Sequence, residues 1–233
     1  CDGPGSDDFD AGPDVTADTD AIGDVPDAAE DAEPPEDAGE EDAGEDESSE
    51  EDVAPACPPL TEDELALIYA GEADAVLEMV TNDTPEGDAF LHEVSDCVDP
   101  LDPAAAHLIA RMRQTLAAAS GGVGLAAPQV GFHRRIFLAQ RTDQTGRPVQ
   151  AFLNPWMVEY SPDTASQMEG CLSVPGANPL VVRSLSVGID YDDETAWHVE
   201  AETIGGARLT QAAYAARIVQ HEYDHLEGIL IVD

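Results

Sequence analysis

The chain has no lysine. Its 233 residues carry nine arginines against 50 Asp and Glu, a formal net charge of −41 at pH 7. That scarcity excludes a nucleic-acid ligand, because grip on a phosphate backbone comes from cationic side chains that displace counterions. It also removes one reading of the glycines at 121–124. A phosphate loop requires Lys followed by Ser or Thr after its glycines, and none follows here. No stretch is apolar and long enough to span a membrane as a helix. Cysteine is scarce too, at four residues, so each is weighed separately.

The charge that is present is unevenly spread. Residues 1–56 hold 23 Asp or Glu and no Arg, leaving −18 on the remainder. A tract of Asp, Glu, Pro, Ala and Gly with almost no large apolar side chains buries too little surface to offset its ordering entropy. A disordered acidic tether is therefore expected over 1–56, a short helical lead-in over 57–76, and one folded domain over 77–233. Cys1 followed by a long polar tract resembles the mature start of a bacterial lipoprotein. This implies a lipid on Cys1, membrane contact through that lipid alone, and a place in the cell envelope; without it the expected address is the cytoplasm. Cys57 and Cys97 flank the first folded segment, and either a disulfide or two free thiols is compatible with the sequence.

Turn and cap signals divide the domain. Thr61-Glu62-Asp63-Glu64 has the form of a capping box and predicts a helix over 62–70. Leu77–Thr81 reads as a first strand ending at Pro85 and Gly87. Asp102-Pro103 reads as N-cap and first helical residue of a helix running to Ala119, stopped by Gly121-Gly122. Strands are predicted over 135–140, 148–153, 156–160, 180–182, 184–191 and 197–203. Thr210 caps a last helix through His225, with Gly228 past its end. Strands grouped between helices, without regular alternation, define an α+β fold.

That last helix carries His221-Glu222-Tyr223-Asp224-His225. Histidines four apart lie one turn apart on one face, so both can reach one metal ion, and the glutamate between them can take a proton from a water there. A third protein ligand is needed. Cys171, preceded by Gly170, is a candidate, with a buried inert thiol as the alternative. His92, His107, His133 and His198 sit in contexts that suit surface or half-buried positions. Gln129, after a run of small residues, is an amide donor suited to an oxyanion, although Gly122-Val123-Gly124 is equally compatible with a plain helix stop.

Taken together and in order, Gly122–Gln129 (GVGLAAPQ), Glu169–Ser173 (EGCLS) and Gln220–Gly228 (QHEYDHLEG) closely resemble the three motifs of the peptide deformylase family. The likeness runs from about residue 77 to 233, and Pro85–Leu91 suits the family's start. It implies sheets, antiparallel or mixed, packed around a central C-terminal helix that carries HExxH. It implies removal of the formyl group from N-formylmethionyl peptides, with release of formate. Cys171, His221 and His225 would hold one divalent ion, Fe2+ in the family by preference, with zinc, nickel and cobalt accepted. Glu222 would act as base and then acid, while Gln129 and the Leu172 backbone N–H hold the oxyanion. An extended peptide would lie beside Gly122, Val123 and Gly124, with Glu169 and Gly170 on its other flank and the methionine near Val123 and the 217–221 helix face.

The chain departs from the family at two places. Leu91-His92 stands where Leu-Arg is frequent, and Gly176–Pro179 lacks an arginine that some bacterial members carry there, so peptide preference stays open. An envelope address would favour zinc over iron, because an exposed iron(II)–thiolate site oxidises readily. A monomer is expected. Two other readings remain at this stage: an envelope lipoprotein that keeps the fold as a binding module, and an HExxH peptidase, which leaves Gln129 and Cys171 unexplained.

Overall fold

The computed structural model describes residues 57–233. The tether over 1–56 and the lipid on Cys1 lie outside the described residues. In chain order the helices are α1 (Glu62–Ile68), α2 (Pro85–Leu91), α3 (Pro103–Ala118) and α4 (Gln211–Leu226). The strands are β1 (Gly124–Ala126), β2 (Ile136–Gln140), β3 (Val149–Tyr160), β4 (Thr164–Met168), β5 (Leu180–Ser184), β6 (Ser186–Asp192) and β7 (His198–Gly205). Five of them form an antiparallel sheet in the order β1-β2-β3-β6-β7, and β4 and β5 make a separate antiparallel ribbon.

The architecture follows from the run Ile136-Phe137-Leu138-Ala139. Successive strand side chains point to opposite faces, so a run without a polar member needs cover on both. Ile136 and Leu138 join Leu125 and Leu153 in a core with Leu108 and Met112 of α3. Phe137 and Ala139 join Ala126, Phe152 and Ile189 in a second core with Ala215 and Val219 of α4. The sheet is thus the middle layer between α3 and α4. Phe137 and Phe152 are register partners whose rings stack with centroids 4.7 Å apart. Truncating either to Ala costs about 3–5 kcal/mol.

The caps form as the sequence demands. Thr61 and Glu64 close a capping box around α1, with the Thr61 N–H donating to Glu64 at 2.7 Å. Asp102 accepts from the Ala104 N–H and Pro103 occupies the first turn of α3. At the end of α4 the Ile229 N–H donates to Asp224 and the Gly228 N–H to His225, while Gly228 adopts φ 70°. This double bond pattern ends the helix immediately after the HEYDH segment. A Cβ on Gly228 would also lie 2.5 Å from the His92 carbonyl oxygen.

Several expectations need correction. Residues 77–81 make no strand. Their neighbourhood hands its amides to three elements, Leu77 to Thr115, Val80 to Gln129 and Asn82 to Ser173. Pro85 begins α2, with Thr84 accepting from the Gly87 N–H, where the sequence suggested only a turn. Strands expected separately over 148–153 and 156–160 are one, β3, continuous through a bulge. Asn154 takes a left-handed φ of 48° there, and its side chain pairs with both backbone groups of Val98. The polar β4 was missed because half-exposed TASQM has no apolar alternation. Cys57 and Cys97 form a disulfide, and Cys171 is free.

Candidate metal centre

α4 supplies the first half of the site. Its His221 and His225 rings stand 5.1 Å apart edge to face, and Glu222 between them is buried. The turn between β4 and β5 supplies Cys171. Its Sγ lies 3.2 Å from His225 Nε2, and ligand atoms of Cys171, His221 and His225 all fall within 4.8 Å of one another. The α3–β1 loop and the 3-10 turn Ala127–Val130 supply the rest. Gln129 is buried, its Oε1 accepts from the Ala126 N–H at 2.8 Å, and its Nε2 donates toward Cys171 Sγ at 3.5 Å. The backbone N–H of Ala126 therefore fixes which way the amide points.

β1 comes so close to α4 that only glycine fits at its first position. A Cβ on Gly124 would lie 2.6 Å from Glu222 Cδ. Next to these groups is a cavity of about 340 Å³. Gly122, Val123, Gly124, Gln129, Glu169, Gly170, Cys171, Leu172, His221 and Glu222 all line it, as do Met168, Tyr214 and Ile218. His225 is buried beside it. Ten of the eleven residues singled out in the sequence thus share one cavity, and the eleventh reaches it through its contact with Cys171.

Glu169 requires a correction. It lines the cavity, but its carboxylate is taken up by partners inside the protein. It accepts from His221 Nδ1 at 3.0 Å, from Arg183 Nε and Nη2 at 3.1 and 3.0 Å, and from Arg217. Arg183 also pairs with Asp224. Burial works to raise the Glu169 pKa, but the bonds from His221 and Arg183 outweigh it and hold it at about 2. Bonding Nδ1 leaves His221 Nε2 for the site, the usual tautomer control of a ligand histidine. Arg183, Arg217 and Asp224 were not foreseen, since nothing local to β5 reveals Arg183. Arg217 had one available signal: it lies one turn before His221, on the same buried face of α4.

The donor set suits a divalent cation. Burial, His221 and Arg183 lower the His225 pKa well below its usual value, leaving a neutral imidazole able to ligate. At His221 burial acts in the same sense, but Cys171 and Glu169 overcome it and push the pKa up to about 10, which shows how strongly the spot attracts positive charge. Glu222 Oε2 is buried without a hydrogen-bond partner. Burial pushes Glu222 up to about 7, although His221 and Arg183 pull the other way. A buried polar group left unmatched in a cavity is a place for a ligand to complete.

A thiol and two imidazoles converging beside an unpaired carboxylate and an oriented amide define the site of a single-metal hydrolase. The family profile of polypeptide deformylase matches residues 78–233, and the chain belongs to that family. It is 38% identical over 147 residues to a peptide deformylase of Pseudothermotoga lettingae, covering 63% of this chain and 78% of that one. The crystal structure of peptide deformylase from Thermotoga maritima is similar over 68% of this chain and 96% of its own, at 35% identity and TM-score 0.58. A Met-Ala-Ser-bound class I type b peptide deformylase from Acinetobacter baumannii is similar over 68% and 98%, at 29% identity and TM-score 0.58. Metal dependence and the α+β architecture go with the family.

Proposed function

We propose that this chain hydrolyses the formyl group from N-formylmethionyl peptides, releasing formate and a free amine, with the residues of the cavity in the following roles. Cys171, His221 and His225 hold one divalent ion, which when bound supplies a Lewis acid that makes water a nucleophile near neutral pH. Glu222 accepts the proton of the attacking water and returns it to the leaving nitrogen. Its Oε2 has no competing partner, and its pKa near neutrality suits both halves of that transfer. Gln129 Nε2 and the Leu172 N–H donate to the oxygen that gains charge. Glu169 keeps His221 in the ligating tautomer. Gly122 and Gly124 admit a peptide backbone, while Val123, Tyr214 and Ile218 offer an apolar wall to the methionine side chain. The peptide bound to the Acinetobacter relative supports a substrate of this kind.

The observation that carries the reading is the convergence of three ligand atoms within 4.8 Å beside the unpartnered Glu222 carboxylate. Formate release from formyl-Met-Ala-Ser tests it: metal-replete wild type should turn over and Glu222→Ala should not. No release by the wild type would sink the reading.

The family resemblance implies iron(II), which the donor set suits where thiols are kept reduced; zinc fits the same donors. We also propose an oxidising compartment, the cell envelope, as the enzyme's address. The Cys57–Cys97 disulfide supports this, because such bonds persist where thiols are not kept reduced. Zinc becomes the favoured ion there, having no redox chemistry. Metal content of protein isolated from its own host, together with cell fractionation, decides both points. Iron in a soluble cytoplasmic fraction would overturn the envelope reading.

A further inference from the structure

Residues 57–77 precede the segment matched by the family, yet two buried arginines are committed to them. Arg134, two residues before β2, donates to the carbonyls of Pro58 and Pro59 at 2.8 and 2.9 Å, to both Glu64 oxygens at 2.7 Å, and to the Cys97 carbonyl at 3.4 Å. Arg111, on α3, donates to four main-chain carbonyls of the segment: Leu67, Ile68, Ala75 and Val76. A buried guanidinium stripped of these acceptors would stand unmatched, so the segment cannot lift away cheaply. The Cys57–Cys97 disulfide closes the other end.

Downstream the same stretch runs into the catalytic loops. The Leu77 N–H donates to Thr115 Oγ1 of α3 at 2.8 Å. Three residues on, the Val80 N–H donates to the Gln129 carbonyl at 2.8 Å, and the Asn82 N–H to the Ser173 carbonyl at 2.9 Å. Ser173 Oγ points to Met79 Sδ at 3.9 Å. Leu65, Leu77, Met79 and Leu172 pack against one core, which also contains Leu60 and Ile68. One short length of chain therefore touches both sources of the proposed oxyanion donors, Gln129 and the turn that presents Leu172.

We propose that residues 57–82 form a clamp that sets the spacing between the Gln129 amide and the Leu172 N–H. Val80 and Asn82 act as positioning residues, and the disulfide with Arg111 and Arg134 keeps them in place. Neither residue lines the cavity. The clamp works through hydrogen-bond donors that matter only once charge develops on the oxygen, so loosening it lowers kcat and spares KM. Its kinetic part rests on the deformylase reading above; its structural part does not.

The test uses the full chain carrying Cys57→Ser with Cys97→Ser, and separately Thr115→Val, which keeps the disulfide and removes the Leu77 anchor together with the hydroxyl's own bond to the Arg111 carbonyl within α3. Formate release should show kcat reduced about 3–10-fold in the double variant, a fraction of the 10²–10³ lost when an oxyanion donor is removed outright. KM should stay within about twofold if only transition-state contacts are disturbed. Thr115→Val should move kcat the same way by less. Amide exchange supplies the readout that does not depend on turnover. The Ala126 N–H, which donates to the Gln129 side chain, should exchange at least about tenfold faster, a local opening that leaves Val219 in α4 unchanged. Unchanged kcat with unchanged Ala126 exchange overturns the clamp. Equal acceleration at Ala126 and Val219 also overturns it, because the segment would then serve overall stability alone. If the wild type releases no formate, the deformylase reading fails and the exchange pattern still decides the clamp.

Discussion

Glu222 and Glu64 are both glutamates drawn into the protein, and their surroundings treat them in opposite ways. At the metal centre, Glu222 keeps one oxygen without a partner, and burial pushes its pKa up to about 7. In the lead-in, burial also acts to raise Glu64, but Arg134 and Thr61 outweigh it and hold it at about 2. A matched carboxylate is a fastener with its proton gone. An unmatched one keeps a proton equilibrium near neutrality and can do chemistry. Glu169 lies inside the catalytic site and yet behaves like Glu64, which identifies it as a positioning group.

The contrast breaks most sharply at Glu222. Glu222→Gln should retain metal and lose at least about 10³-fold in kcat, within the range for removing a positioned acid–base group; formate release beside metal analysis measures both. Gly124→Ala comes next. Its methyl must displace the carboxylate, and a shift of that size costs on the order of 10²-fold in kcat, while urea unfolding shows whether the fold survives. Glu169→Gln should weaken metal binding about 10–100-fold by releasing the His221 tautomer, read by chelator competition. It also leaves Arg183 and Arg217 facing a neutral amide, so stability should fall by up to about 3–5 kcal/mol.

Smaller effects follow from pH. The base form of Glu222 is required, so kcat/KM should decline as pH falls through its pKa. Burial sets that value at about 7, and a bound cation beside it draws the limb toward acid, between 4.5 and 7. Glu64 shows its titration in stability and further toward acid. Its folded pKa lies below the unfolded value of 4.5, so its contribution is complete above 4.5 and is lost as pH drops toward about 2. Glu64→Gln should flatten acid unfolding across that window; an unchanged profile would mean that Arg134 is satisfied without it.

The sequence made local chemistry legible. Thr61 with Glu64, Asp102-Pro103 and the HEYDH helix could be placed because caps and i, i+4 faces are set by neighbours in the chain. Cys171 and Gln129 were candidates with open alternatives until the family motifs joined them to the helix, since no local rule joins a β4–β5 turn to a helix 50 residues later. The Glu169–Arg183–Arg217–His221 network escaped because its members come from the β4–β5 turn, β5 and α4, and meet only after folding. Residues 77–81 misled for a related reason. Their apolar pattern is that of a strand, but their amides go to a side chain and two loops.

The buried arginines have a practical consequence for handling the protein. Trypsin cleaves after lysine and arginine, and here it finds only nine arginines. Of these, just Arg147 and Arg208 are exposed, and Pro148 blocks cleavage after Arg147, so the folded enzyme should be nicked first in the β7–α4 loop. Arg111 and Arg134 become cleavable only when the lead-in lets go of them. The grip that holds the segment is thus also a gauge of its release, read from the sizes of two peptide fragments on a gel.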